Sequence, residues 1–174
     1  MWLEALRVRS FKWARVVIEG DEMAEVLIIL GSKSDMDYAQ NATNELDSFG
    51  IGYEIAISSA HRQPEKTKQV VMEAIEKGCK IVIAMAGYAA ALPGFVASIC
   101  HLPVIGVPLP TSELKGIDAA LSILQMPGGV PVGSVGIGSA GAKNAALLAV
   151  RILALSDPSL SEKLRVYIEN QARG

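Results

Sequence analysis

Histidine and cysteine are scarce in this 174-residue chain, which holds two of each: His61, His101, Cys79 and Cys100. Their spacing matches no zinc site, so no metal centre is expected. Both cysteines lie in or beside apolar runs, which suits buried thiols better than a disulfide. Aromatic residues make up only 5% of the chain. No charge of one sign dominates, since 16 lysines and arginines are interspersed with 18 acids for a net charge of −2. That balance excludes a basic stripe for nucleic acid and an acidic tail. No apolar run reaches the ~20 residues of a membrane-spanning helix. The longest candidate, Ile81 to Ile105, is broken by Gly87, Pro93, Gly94, His101 and Pro103. Internal repeats, low-complexity tracts and a second domain are also missing.

What is present is aliphatic. Hydrophobic residues make up 51% of the chain, mostly Ala, Val, Ile and Leu, as in buried parallel strands and closely packed helices. The length suits one domain with a sizeable core. Such apolar content in a small domain fits either a well-filled core or surface shared between subunits. Residues 1–22 begin basic and lack the apolar core of a signal peptide, so a cytoplasmic location is expected. Two accounts of this segment stand. Trp2, Leu6, Phe11 and Trp13 pack on the domain, or translation starts at Met23, immediately before the first strand. The second is favoured slightly, because the domain pattern needs nothing upstream.

Strands and helices alternate through the rest. Glu25 to Leu30 reads as a buried strand ending in Gly31. A helix follows from about Asp35 to Phe49, capped by Ser34 or Asp35 and stopped by Gly50. Ile51 to Ser58 is the second strand. Pro64 opens a helix to about Lys77, ended by Gly78. Lys80 to Met85 is the third strand, followed by a short helix from about Leu92 to Cys100. Pro103 to Val107 is the fourth strand, and Ser112 to Gln125 holds a helix. Gly133 to Ile137 is the fifth strand, and Ala142 to Leu155 an alanine-rich helix. Residues 156–174 form a terminal helix lying on the domain or on a neighbouring subunit. The fold expected over residues 23–155 is therefore α/β: a three-layer α/β/α sandwich, flavodoxin-like and doubly wound, with a parallel sheet of about five strands.

Two segments at strand-to-helix junctions carry chemistry, because ligands bind at the carboxyl edge of such sheets. Gly31-Ser32-Lys33-Ser34-Asp35 offers backbone N–H groups, hydroxyls and a carboxylate where a helix dipole favours an anion. It is not a nucleoside-triphosphate P-loop, since the required G-x-x-x-x-G-K-[ST] spacing is absent. Taken alone, an ordinary polar helix cap explains it equally well. Ser59-Ala60-His61-Arg62 places a proton-exchanging imidazole beside a guanidinium able to clamp phosphate. His101, between apolar segments, fits a structural or surface role. Ala86 to Gly94 is rich in small residues, which permit close approach either to a ligand or to a helix end. Gln125 to Pro131 reads equally as a cover for a site or as a structural crossing. Lys143 fits a solvated surface lysine better than a ligand contact.

In their order, these motifs resemble the PurE family of purine biosynthesis. The match runs from about Ala24 to Leu155 through GSKSD at 31–35, SAHR-x-P at 59–64, AG-x-AA-x-LPG at 86–94 and GVP at 106–108. QMPGGVPVG at 125–133 and AGAKNAALLA at 140–149 complete it. The resemblance implies a ribonucleotide as small-molecule partner, a homo-oligomer of eight subunits with sites near their junctions, and no metal or organic cofactor. It implies that Ser32, Asp35 and Arg62 bind the ribonucleotide, with Ser34, Ser59, Ala86, Gly87 and Leu92 also at the site. His61 matches the family's general acid/base. The bacterial-type reaction moves a carboxylate from the exocyclic nitrogen of N5-carboxyaminoimidazole ribonucleotide to ring carbon C4. An animal-type relative instead adds CO2 directly to aminoimidazole ribonucleotide. The wording of GSKSD, SAHR and QMPGGVPVG is closer to the bacterial type. Two positions depart from the family's AGGAAHLPG: Tyr88 replaces a glycine and Ala91 a histidine. Ala91 can neither donate a hydrogen bond nor carry a proton, so a nucleotide-binding module without catalysis stands as a further alternative.

Overall fold

The computed structural model describes residues 15–17 and 24–173. The expectations for Trp2, Leu6, Phe11, Trp13 and Met23 lie outside those residues. The sheet is built from β1 (Arg15–Val17), β2 (Val26–Leu30), β3 (Tyr53–Ile57), β4 (Ile81–Ala86) and β5 (Val104–Pro108). β3, β2, β4 and β5 lie side by side and all parallel. The three residues of β1 add an antiparallel edge to β3.

Every residue of β2, β4 and β5 is buried, as expected of parallel strands covered on both faces. Successive side chains point to opposite faces, so β2 divides its residues between two cores. Val26, Ile28 and Leu30 join the first, while Leu27 and Ile29 join the second. An isoleucine row, Ile55–Ile28–Ile83–Ile105, crosses the first face in register. That face is covered by α1 (Met36–Phe49), α5 (Gly138–Ala154) and α6 (Pro158–Ala172). The other is covered by α2 (Pro64–Glu76), α3 (Ala91–Ile99) and α4 (Ile117–Leu124). Buried alanines at 39 and 42 in α1, and at 142, 145, 146 and 149 in α5, give both helices small faces for close packing.

Helix ends follow sequence cues. Gly50 adopts φ +73° and returns its N–H to the last carbonyls of α1, a stop that favours glycine. Pro64 occupies the first turn of α2. The Asp157 carboxylate accepts the N–H groups of Ser159 and Leu160 at 2.9 and 3.1 Å, capping α6.

The parallel sheet has four strands rather than the five expected. Gly133 makes a single bridge to Ile105, exchanging hydrogen bonds of 2.7 and 3.0 Å with the backbone of β5. Gly136 at φ +136° and Gly138 at φ +63° then turn the chain away, and α5 begins at Gly138 instead of Ala142. α4 also starts later than expected, at Ile117 rather than near Ser112. The segment before it closes in turns, with Lys115 at φ +51° and Gly116 at φ +87°. Cys79 is buried and Cys100 half-buried, both as free thiols.

The start of α5 depends on a close backbone approach. A Cβ at Gly141 would lie 2.1 Å from the carbonyl oxygen of Gly136 and 2.4 Å from its carbonyl carbon. Gly141→Ala is expected to lower the urea midpoint at unchanged slope, by about 1–3 kcal/mol of stability. A wild-type midpoint would show that this approach does not constrain the fold.

Candidate active site

The chain leaves β2 toward β3 on one side, then returns to place β4 on the other. In a parallel sheet this reversal opens a crevice beyond the carboxyl ends of the central strands. A cleft of about 520 Å³ occupies that position. Four loops line it, following β2, β3, β4 and β5 in turn.

The first loop supplies Gly31, Ser32, Ser34 and Asp35. Ser32 has extended backbone and caps a short 3-10 turn over Lys33–Asp35. The Ser34 hydroxyl donates to Ser32 Oγ at 3.0 Å. The Ser32 N–H donates to Asp35 Oδ2 at 2.9 Å, closing a capping box. Asp35 is only 4% exposed. Burial pushes its carboxyl pKa upward, and hydrogen bonds from the Ser32 N–H and the Ser34 hydroxyl partly oppose that. The turn leads directly into α1, whose positive dipole end lies beside the serines.

From the second loop come Ser59, Ala60, His61 and Arg62. The Ser58 and Thr67 hydroxyls share a buried 2.8 Å hydrogen bond, fixing the strand end to α2. The N–H groups of Arg62 and Gln63 both return to the Ser59 carbonyl, at 3.2 and 2.7 Å. Arg62 Nε donates to Ser59 Oγ at 3.3 Å. This tight turn leaves His61 and Arg62 exposed side by side.

Residues Ala86 to Leu92 make the third wall. The Ala90 N–H donates to the Gly87 carbonyl at 3.0 Å. Tyr88 and Ala90 take positive φ values, +52° and +38°. Among the described residues, no side-chain cap bonds the N-terminus of α3, which starts at the cleft wall. Leu92 is buried and anchors this wall, while Ala91 is half-buried.

All the site residues expected from sequence therefore line one cleft: Ser32, Ser34, Asp35, Ser59, His61, Arg62, Ala86, Gly87, Leu92 and the two departures, Tyr88 and Ala91. Thr111, after β5, also lines it and was not foreseen. No signal in the sequence marks it, because its place comes from facing Gly87, where a Cβ would fall 1.7 Å from Thr111 Oγ1. Lys143 pairs instead with Glu45 at 3.0 Å, and His101 is exposed away from the lining residues. The 125–133 loop does not line this cleft either. Its Met126 packs toward Gly94 and its Val132 toward Gly106. Among the described residues, no group of three or more His, Cys, Asp or Glu is placed to hold a metal.

The family model for AIR carboxylase matches residues 25–174. The chain belongs to the AIR carboxylase family. It is 51% identical to the N5-carboxyaminoimidazole ribonucleotide mutase of Saccharolobus solfataricus over 148 residues, 85% of this chain and 92% of that protein. Identity with the Thermotoga maritima enzyme of the same name is 50% over 151 residues, 87% of each chain. The crystal structure of Treponema denticola PurE superposes with a TM-score of 0.78 at 37% identity, covering 85% of this chain and 91% of that one. The family match spans all four loops of the cleft.

Asp35 gives the site a pH signature. Its folded pKa is raised above the ordinary 3.8, so the folded state holds the proton more tightly than the unfolded chain. Its contribution to stability is then greatest below pH 3.8 and falls as pH rises through the folded value. Asp35→Asn retains an oxygen for the Ser32 N–H and does not titrate. The stability of wild type relative to Asp35→Asn, from urea titrations, is expected to decrease as pH rises above 3.8. A flat or rising difference would contradict the burial argument.

Proposed function

We propose that this chain is a mutase of purine biosynthesis that converts N5-carboxyaminoimidazole ribonucleotide to 4-carboxy-5-aminoimidazole ribonucleotide. The observation that carries this reading is the meeting of His61 and Arg62 with the Ser32–Asp35 turn in one cleft. Relatives about half identical over most of the chain bear the mutase name, which favours the same reaction here.

Each group has a task its chemistry suits. Arg62 and the Ser32–Ser34 hydroxyls hold the phosphate, and Asp35 accepts from ribose hydroxyls. That remote binding positions the base. His61, as an imidazolium, protonates the exocyclic nitrogen of the carbamate. The N–C bond then breaks, releasing CO2 and leaving aminoimidazole ribonucleotide in the cleft. C4 attacks the confined CO2, a step made effectively intramolecular by the enclosure. His61 takes the C4 proton, which restores the aromatic ring and returns the imidazolium. Protons and carboxylate balance, with no external reactant.

A homo-oligomer accompanies this reading. Leu114, Ile117, Leu121 and Leu124 on and beside α4 are each more than half exposed, next to Ile137 at 41%. Such a contiguous apolar face fits a second copy of the chain. The octamer is the assembly that the family resemblance implies. Free thiols at Cys79 and Cys100 agree with a reducing, cytoplasmic compartment. Among the described residues, no helix is long and apolar enough to cross a membrane.

His61→Asn is expected to lower turnover of N5-carboxyaminoimidazole ribonucleotide by at least about a hundredfold while preserving the wild-type circular dichroism spectrum. Full turnover in the folded variant would refute the proton role. For the assembly, light scattering is expected to show a multimer of the 18.4 kDa chain. A monomer at assay concentration would refute the second-copy account of the α4 face.

A further inference from the structure

Tyr88 breaks two local rules at once. The residue is 67% exposed, and its backbone stands at φ +52°, where glycine is comfortable and a bulky residue is not. Folding explains neither feature, because an exposed ring adds little to the core and glycine would relieve the backbone. The loop has little freedom to relax. The Ala90 N–H is tied to the Gly87 carbonyl at 3.0 Å. Thr111 Oγ1 occupies the space beside Gly87, 1.7 Å from where a Cβ would stand. The Leu109 N–H holds the Ala86 carbonyl at 2.9 Å. Tyr88 is thus held on the wall of the cleft that also contains His61 and Arg62. The neighbouring wall positions Ala89, Ala90 and Ala91 carry only methyl groups, too small to cover a ligand ring.

Strained residues persist where the surrounding structure enforces them, often at ligand clamps. We propose that Tyr88 is a substrate-covering residue whose ring packs on the heterocycle of the bound ribonucleotide at the open side of the cleft. A tyrosine ring supplies a large, flat, apolar surface with few rotatable bonds. The exposure of Tyr88 and the strain beneath it then share one cause. This inference takes its choice of ligand from the mutase reading.

The test is calorimetric binding of two probes, aminoimidazole ribonucleotide and ribose 5-phosphate, which lacks the heterocycle. In Tyr88→Gly, affinity for the first is expected to fall about tenfold. Affinity for the second should stay within about twofold, and the melting temperature should equal or exceed wild type. Tyr88→Phe, which keeps the ring, should bind both probes within about twofold of wild type. Unchanged affinity in Tyr88→Gly would overturn the proposal, as would equal losses for both probes. A lower melting temperature in Tyr88→Gly, or a loss in Tyr88→Phe matching that in Tyr88→Gly, would also overturn it. A wild type that binds aminoimidazole ribonucleotide without converting its N5-carboxy form would contradict the mutase reading alone.

Discussion

The placement of β2 between β3 and β4 is the constraint on which the site depends. Three parallel strands with this order send their following loops to one edge, and the chain's reversal keeps those loops from closing over one another. The buried isoleucine row and the two helical layers hold the strand ends in register. Under the proposed reading the phosphate is held from two loops, by the Ser32–Asp35 turn and by Arg62 of the 59–62 turn, which also carries His61. They meet only because β2 and β3 are neighbours.

Some local departures from ordinary chain behaviour lie at this edge: Asp35 is buried despite its charge, and Tyr88 and Ala90 stand at positive φ. Elsewhere Lys115 also stands at positive φ and Glu54 is buried on β3, while Gly50 ends α1 and Asp157 caps α6. A buried carboxyl and a strained backbone each cost stability, and the surrounding hydrogen bonds and packing offset them. The Ser58–Thr67 pair and the Gly87–Thr111 approach are such supports. The first adjoins Ser59 of the cleft, and both members of the second line it.

Much of this was legible in the sequence. Strands β2 to β5 and helices α1, α2, α3 and α6 follow from β-branched runs, helical spacing, Pro64 and the stopping glycines. The residues of the first three loops were recognisable because each loop carries its chemistry in consecutive positions. Gly133 to Ile137 reads as a fifth strand from its strand-like composition, while its glycines allow φ values that end pairing after one bridge. The start of α4 was set by turns at Lys115 and Gly116, whose positive φ values leave no periodic signal. Thr111 could not be foreseen, because its role comes from lying across the sheet edge from Gly87. β1 carries too few residues to show a period.

The central claim is that this cleft moves a carboxylate within one ribonucleotide. The most direct measurement supplies purified protein with fresh N5-carboxyaminoimidazole ribonucleotide in one reaction, and with aminoimidazole ribonucleotide plus excess bicarbonate in another. The account predicts rapid C4-carboxylated product in the first and little in the second. Product chiefly in the second would make the protein a direct carboxylase, and product in neither would mean that the cleft binds nucleotide without performing this chemistry.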